Sequence, residues 1–320
     1  ERLATGEFDA ITLVHNETST GVMSPLAEIA QLKAKYPDVM FIVDSVSSLS
    51  GVKIEFDRLG IDLLLAGTQK AFALPPGLSV FTVSQAALDR AATINDRGYY
   101  FDLHEFQKNA EKRMTPSTPS IGHIYALQSK LEDIMAEGLD ARFERHANLA
   151  QMTRDWAAGN GFTLFPEAGY ESQTLTCVNN GAKPGGREID VAKLQGLMKE
   201  RGILIDGGYG KIKGKTFRLS SMGDETEETM QSLYGQLDES LGPLHRELRG
   251  RGVVGRLPVE GRGDDLPLDR ALDVGDLLGS LVEQDHHQVA LGVVGRHRCR
   301  QRLQQGGASR AGRRPDHAAL

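Results

Sequence analysis

The sequence predicts an α/β fold: a mainly parallel sheet covered by helices, followed by a smaller α+β domain. Three observations predict it. Over the first hundred residues, short apolar runs of strand character alternate with helical stretches, which is the rhythm of βαβ units. After Gly159-Asn160-Gly161 the segments shorten and strands and helices alternate closely. Thr18, Asp44 and Lys70 each stand just beyond an apolar run, and ligands of parallel sheets gather at the carboxyl ends of strands.

In order along the chain, Phe8 to His15 reads as a strand, Leu26 to Tyr36 as an amphipathic helix, and Met40 to Val43 as a strand. Ile61 to Ala66 and Leu78 to Val83 are further strands, and Gln85 to Ala92 is helical. Residues 120 to 160 read as helix, with Ile124, Leu127, Leu131, Ile134 and Met135 spaced to form one apolar face. Phe162 to Phe165 and Thr174 to Val178 read as strands, and Val191 to Arg201 as a helix. Ile203 to Ile205 and Phe217 to Ser220 follow as strands, and a last helix runs from Thr226 to about Leu241. No internal repeat is present. The expected organisation is a domain over residues 1–154, a small α+β domain over 155–242, and a tail over 243–320.

Charge separates these parts. Residues 1–242 carry 24 basic and 33 acidic side chains, a net −9, whereas 243–320 carry 13 and 10, a net +3. An acidic body argues against nucleic acid as its partner. Two cysteines, Cys177 and Cys299, make no disulfide framework, which fits a reducing cytoplasm. No apolar run approaches the ~18 residues of a membrane span. His286-His287 lacks further residues at ligand spacing, so no metal site is expected.

The tail contains no Lys, Ile, Phe, Tyr, Trp, Met, Asn or Thr, and all 13 of its basic residues are Arg. That leaves little for a close-packed core. Losing eight residue types at once suggests GC-rich DNA translated out of frame, and the expectation is an unstructured or out-of-frame segment. A genuine disordered Arg/Gly tail and a small accessory domain are the alternatives.

The chemistry centres on Asp44 and Lys70. A carboxylate and an amine at the ends of neighbouring strands suit pyridoxal phosphate, whose aldehyde takes the amine as a Schiff base and whose ring nitrogen needs an anion to stay protonated. Four stretches carry a resemblance: Val14-His15-Asn16-Glu17-Thr18-Ser19-Thr20-Gly21-Val22 with Pro25 following, Val43-Asp44-Ser45-Val46-Ser47-Ser48-Leu49, Gly67-Thr68-Gln69-Lys70-Ala71 through Pro75-Pro76-Gly77, and Phe217-Arg218-Leu219-Ser220 near Gly223. In this order and spacing they resemble the class V aminotransferases among the fold-type I pyridoxal-phosphate enzymes, in the alanine–glyoxylate and serine–pyruvate branch. The resemblance covers residues 1 to about 242. It implies part of a fold-type I large domain, and it implies that roughly the first quarter to third of an intact enzyme precedes Glu1, with a Gly-rich phosphate loop at a helix N-terminus.

Carried onto this sequence, the resemblance assigns the aldimine and the proton transfers to Lys70 and the pyridinium contact to Asp44. It puts an apolar ring contact at Val46, a contact near the ring's phenolic oxygen at Thr18, and a phosphate contact at Gln69. Thr118 would reach the phosphate of the neighbouring subunit, which implies a homodimer. Arg218 would grip the substrate α-carboxylate with its planar fork, and Tyr209 would border the substrate. The implied reaction moves an amino group between alanine or serine and glyoxylate or pyruvate in the cytoplasm. Phosphoserine and aminoethylphosphonate aminotransferases are alternatives, and so is a truncated, frameshifted relic with little cofactor binding. A cysteine desulfurase is disfavoured, because Gln69 stands where those enzymes carry His and Cys177 sits in a strand.

Overall fold

The computed structural model of the chain describes residues 1–181, 188–250 and 292–295. Strand β1 (Phe8–Val14) leads into a small hairpin, β2 (Asn16–Glu17) and β3 (Val22–Met23), and then helix α1 (Leu26–Lys35). Strands β4 (Met40–Asp44), β5 (Leu63–Gly67) and β6 (Ser79–Val83) precede helices α2 (Gln85–Ala92) and α3 (Leu103–Ala110). Two long helices follow, α4 (Ile121–Glu137) and α5 (Leu139–Gly159), and then strands β7 (Thr163–Leu164) and β8 (Leu175–Asn179). Helix α6 (Val191–Glu200), strand β9 (Thr216–Ser220), helix α7 (Glu227–Gly250) and strand β10 (Gly292–Gly295) complete the described elements.

The large sheet runs β10-β1-β4-β5-β6. β1, β4 and β5 are mutually parallel, with Val14 opposite Asp44 and Asp44 opposite Leu65. Their carboxyl ends therefore share one edge. Ile11, Leu13, Phe41, Val43, Ile61 and Leu64 pack with Leu26 and Ala30 of α1 into one core. A second core joins Val178, Phe217 and Leu219 of the β7-β8-β9 sheet to α5, α6 and α7, through Leu149, Ala157, Leu194, Met198, Met230 and Leu237. α5 contributes to this core while Arg142 in its first turns bonds to the loops after β4 and β5, and residues 154 and 155 lie within the helix.

The structure departs from the sequence reading at several elements. β6 pairs antiparallel with β5, because the 11 residues between them fold as a loop, shorter than a helical crossover to a parallel strand. The stretch 120–160 is two helices, broken at Gly138, which adopts φ +88°. An L side chain is strained there. The apolar face of α4 is largely uncovered: only Ile134 is buried, while Met135 is 68% exposed. Ile203 to Ile205 forms no strand. Ile203 and Ile205 pack against the second core, and only Asp206 bridges to Arg218. α3 has no counterpart in the sequence reading. In the tail, α7 continues to Gly250 and Gly292–Gly295 pairs antiparallel with β1; the other residues of 251–320 lie outside the described residues. Among the described residues no helix is long and apolar enough to cross a membrane.

Candidate active site

Three loops meet at the carboxyl edge of the parallel strands. The first follows β1. Its turn 17–21 closes when Gly21 N–H donates to the Glu17 carbonyl at 2.9 Å. Gly21 has φ +69°, and a Cβ there would meet the Cys177 backbone nitrogen at 3.0 Å. This glycine is what lets the turn lie on β8.

The second loop follows β4 and begins with Asp44, whose Oδ1 accepts from the Val46 N–H at 2.8 Å. Among the described residues Oδ2 has no hydrogen-bond partner. Burial raises the Asp44 carboxyl above its ordinary range and the nearby Glu17 charge adds to this, while the Val46 N–H and Lys70 pull it down. Val46 is half-buried two residues on. The loop is fixed beneath by buried hydroxyls. His15 Nδ1 lies 2.9 Å from Ser48 Oγ, and Asn16 Nδ2 donates to Ser47 Oγ and Thr174 Oγ1, each at 3.0 Å.

The third loop follows β5 and carries Lys70, half-buried. Its amine makes no hydrogen bond or ion pair with the described residues. Burial lowers its pKa first and Arg218 second, against the pull of Glu17 and Asp44. More of the amine is therefore uncharged at neutral pH than in an exposed lysine. Gln69 is exposed, with its amide folded over the Cα of Gly67. The Thr68 hydroxyl is turned away, donating to Pro75 and Leu78 carbonyls.

β9, in the three-stranded sheet, brings in Arg218. Its Nε donates to Asp206 Oδ1 at 2.9 Å and its Nη2 lies 2.6 Å from Oδ2, a two-pronged pair. Nη1 donates to the Thr18 carbonyl at 2.7 Å, and the guanidinium lies over the Tyr209 ring at 5.4 Å from its centroid. The structure thus gathers Thr18, Asp44, Lys70 and Arg218, while Thr118 is exposed in the loop before α4 and hydrogen-bonds to none of them. Glu17 and Asp206 are charged members of the site to which the sequence reading gave no role. Nothing local marks them; Asp206 is identified only by its pairing with β9.

A half-buried lysine with a lowered pKa beside a carboxylate with an open oxygen fits pyridoxal phosphate. The aldehyde needs a neutral amine, and the open Oδ2 can accept a ring N–H. Cys177 does not fit a nucleophile's part, since burial pushes its thiol up to about 12. Among the described residues no cluster of ligating side chains could hold a metal.

The chain is similar to several known proteins. The family model described as aminotransferase class V matches residues 1–223. An uncharacterized aminotransferase of Methanocaldococcus jannaschii is 36% identical over 250 residues, 77% of this chain and 63% of that protein. A serine–glyoxylate aminotransferase of Methylorubrum extorquens is 32% identical over 244 residues, 73% of this chain and 59% of that one. The crystal structure of an alanine–glyoxylate aminotransferase from Nostoc sp. superposes with a TM-score of 0.68 at 31% identity, over 75% of this chain and 63% of that one. The chain thus spans less than two thirds of the length of the curated relatives it matches.

Proposed function

This chain belongs to the class V aminotransferases, and on that premise we propose that the intact protein is a pyridoxal-phosphate enzyme moving an amino group from alanine or serine to glyoxylate or pyruvate. The observation that carries the reading is the shared strand edge, where Lys70 and Asp44 follow neighbouring parallel strands and Arg218 leans over the turn holding Thr18.

When bound, pyridoxal phosphate supplies an aldehyde and an electron-accepting ring. Lys70 would attach to that aldehyde and then, released, carry a proton from the substrate Cα as base and return one as acid. Asp44 would accept the ring N–H at Oδ2, and the positive partner would hold its carboxyl ionised against the effect of burial. Val46 would pack on a ring face, Thr18 would touch the phenolic oxygen side, and Gln69 would reach the phosphate. Thr118 would serve the partner subunit of a homodimer. Three of the five N–H donors of Arg218 are engaged by Asp206 and Thr18. The two left on the Nη atoms would receive the substrate α-carboxylate and orient its Cα–H bond. The buried free thiol of Cys177 supports a reducing, cytoplasmic setting.

Borohydride trapping tests this. The reduction is irreversible, so even a weakly held cofactor accumulates on the lysine it reaches. Peptide mapping is expected to find the pyridoxyl group on Lys70 and to lose it in Lys70→Ala. A label spread over surface lysines, or on another single lysine, would sink the assignment.

A further inference from the structure

Arg142 lies in the first turns of α5 and is 2% exposed, yet it takes no part in the site as described. Its Nη2 donates to the carbonyl of Ala71, the residue after Lys70, at 2.8 Å. Its Nε donates to Ser50 O at 3.0 Å and to Ser50 Oγ at 3.1 Å, on the loop that begins at Asp44. Its Nη1 is held by Glu137 Oε2 at 2.9 Å. One planar fork therefore joins the two loops that carry the amine and the carboxylate.

Both loops carry backbone strain, one at the gripped Ser50 and the other two residues past the gripped Ala71. Ser50 has φ +76° and Ala73 has φ +57°, conformations that non-glycine residues adopt only when their surroundings hold them there. The Lys70 carbonyl accepts from the Ala73 N–H at 2.9 Å, so the tight turn that aims Lys70 spans the gripped Ala71. The same helical turn reaches the loop after Arg218. Arg145 Nη2 donates to Gly223 O at 3.2 Å, and His146 Nε2 accepts from Gly223 N at 3.1 Å. Glu137 braces Arg145 as well, accepting from its Nε at 2.6 Å.

We propose that Arg142, braced by Glu137, is a positioning residue that fixes the Lys70 turn against the Asp44 loop, so that amine and carboxylate are preset for one ring. A lysine in its place would keep the charge but could not span Ala71, Ser50 and Glu137 together. The proposal rests on the reading of Lys70 as the cofactor lysine.

The test measures Lys70 itself in the cofactor-free chain. Competitive acylation across a pH series, read by peptide mass spectrometry, gives the ionisation midpoint of each lysine. Asp44, Glu17 and Arg218 are the charges facing Lys70, and all stay in place. In Arg142→Lys the Lys70 midpoint is expected to rise toward that of an ordinary exposed lysine. Borohydride trapping at Lys70 is expected to fall roughly tenfold to a hundredfold, the scale of a small misplacement at a reacting centre. Glu137→Gln, which loosens the fork without removing it, is expected to move both readouts in the same direction, and it decides the matter where Arg142→Lys does not fold. An unchanged Lys70 midpoint and yield in folded Glu137→Gln, and in Arg142→Lys where it folds, would reduce Arg142 to a packing residue. Failure of the wild-type chain to trap cofactor on Lys70 would instead defeat the cofactor reading, and the acylation midpoints would still judge Arg142.

Discussion

Arg218 sits with its Nε–Nη2 edge filled by Asp206 and one Nη1 donor on the Thr18 carbonyl. A substrate carboxylate would then meet a guanidinium already aimed, with little side-chain entropy left to lose. Arg218→Ala is expected to raise the KM for amino acid and oxo acid alike by about 10- to 150-fold, from a charge-assisted pair of roughly 1.5–3 kcal/mol. Asp206→Asn, which keeps the shape but weakens the pair, should raise both KM values less. Steady-state kinetics check this, and unchanged KM values in Arg218→Ala would exclude it as the carboxylate clamp. Histidine 146 gives a second test. Burial lowers both His146 and His15 from 6.5 to about 4. The unfolded chain then binds protons that the folded chain refuses, so stability is whole above pH 6.5 and falls as pH drops toward 4, by about 3 kcal/mol per histidine. His146→Gln can still accept from Gly223 N–H without titrating. Urea unfolding at pH 7 and 5 is expected to show a smaller pH loss in that variant, and an equal loss would remove His146 as a source. Of these candidate residues, Asp44 and Lys70 were legible in the sequence because each comes just beyond an apolar run, and Arg218 only because Phe217-Arg218-Leu219-Ser220 resembles a family stretch. Asp206 and Arg142 were not, since their roles depend on partners 12 and 71 residues away.

Among the elements, those that read correctly are those whose signal is local. β1, β4 and β5 are apolar runs buried on the sheet, and α2 is capped by Ser84, whose hydroxyl accepts from Ala87 N at 3.1 Å. The direction of β6, the break at Gly138 and the loss of strand at Ile203 to Ile205 turn on loop length, one left-handed residue and tertiary packing, none of which alternation encodes. The hairpin β2–β3 shows how strongly a single contact can govern an element. Its turn touches β8 through Gly21, and the Ser172 N–H donates to the Gly21 carbonyl at 2.8 Å. Gly21→Ala would place a Cβ 2.7 Å from Cys177 Cβ and beside backbone, at a φ of +69°. The turn must shift, and with it Thr18 and the carbonyl that Arg218 grips. We expect a loss of about 1–3 kcal/mol in unfolding free energy from the strained φ alone, measured by urea denaturation. Wild-type stability in Gly21→Ala would mean that the turn is not seated on β8 as described.

At the scale of the described residues, the two large cores are well buried while an apolar stripe on α4 is left exposed. On α4, Ile121, Ile124, Tyr125, Leu131 and Met135 are exposed, and their spacing places them along one helical stripe. Tyr99, Tyr100 and Phe101 are exposed too, and the Tyr99 hydroxyl donates to Pro116 O at 3.0 Å, tying that stretch to the loop before α4. A monomer in water rarely keeps a broad apolar patch uncovered. The sequence reading put Ile124, Leu127, Leu131, Ile134 and Met135 on one apolar face; Ile134 is buried while Ile124, Leu131 and Met135 are exposed, because periodicity marks which residues share a face but not what covers it. The physical consequence is association. The purified 320-residue chain is expected to run above its monomer mass in light scattering, increasingly so with concentration. The double variant Tyr125→Lys, Met135→Lys puts two like charges on the stripe at positions that are each 68% exposed, so it should fold normally and shift the distribution toward monomer. A wild-type chain that stays monomeric at every concentration would show that this face needs no cover. A variant that associates as before would place the contact elsewhere on the surface.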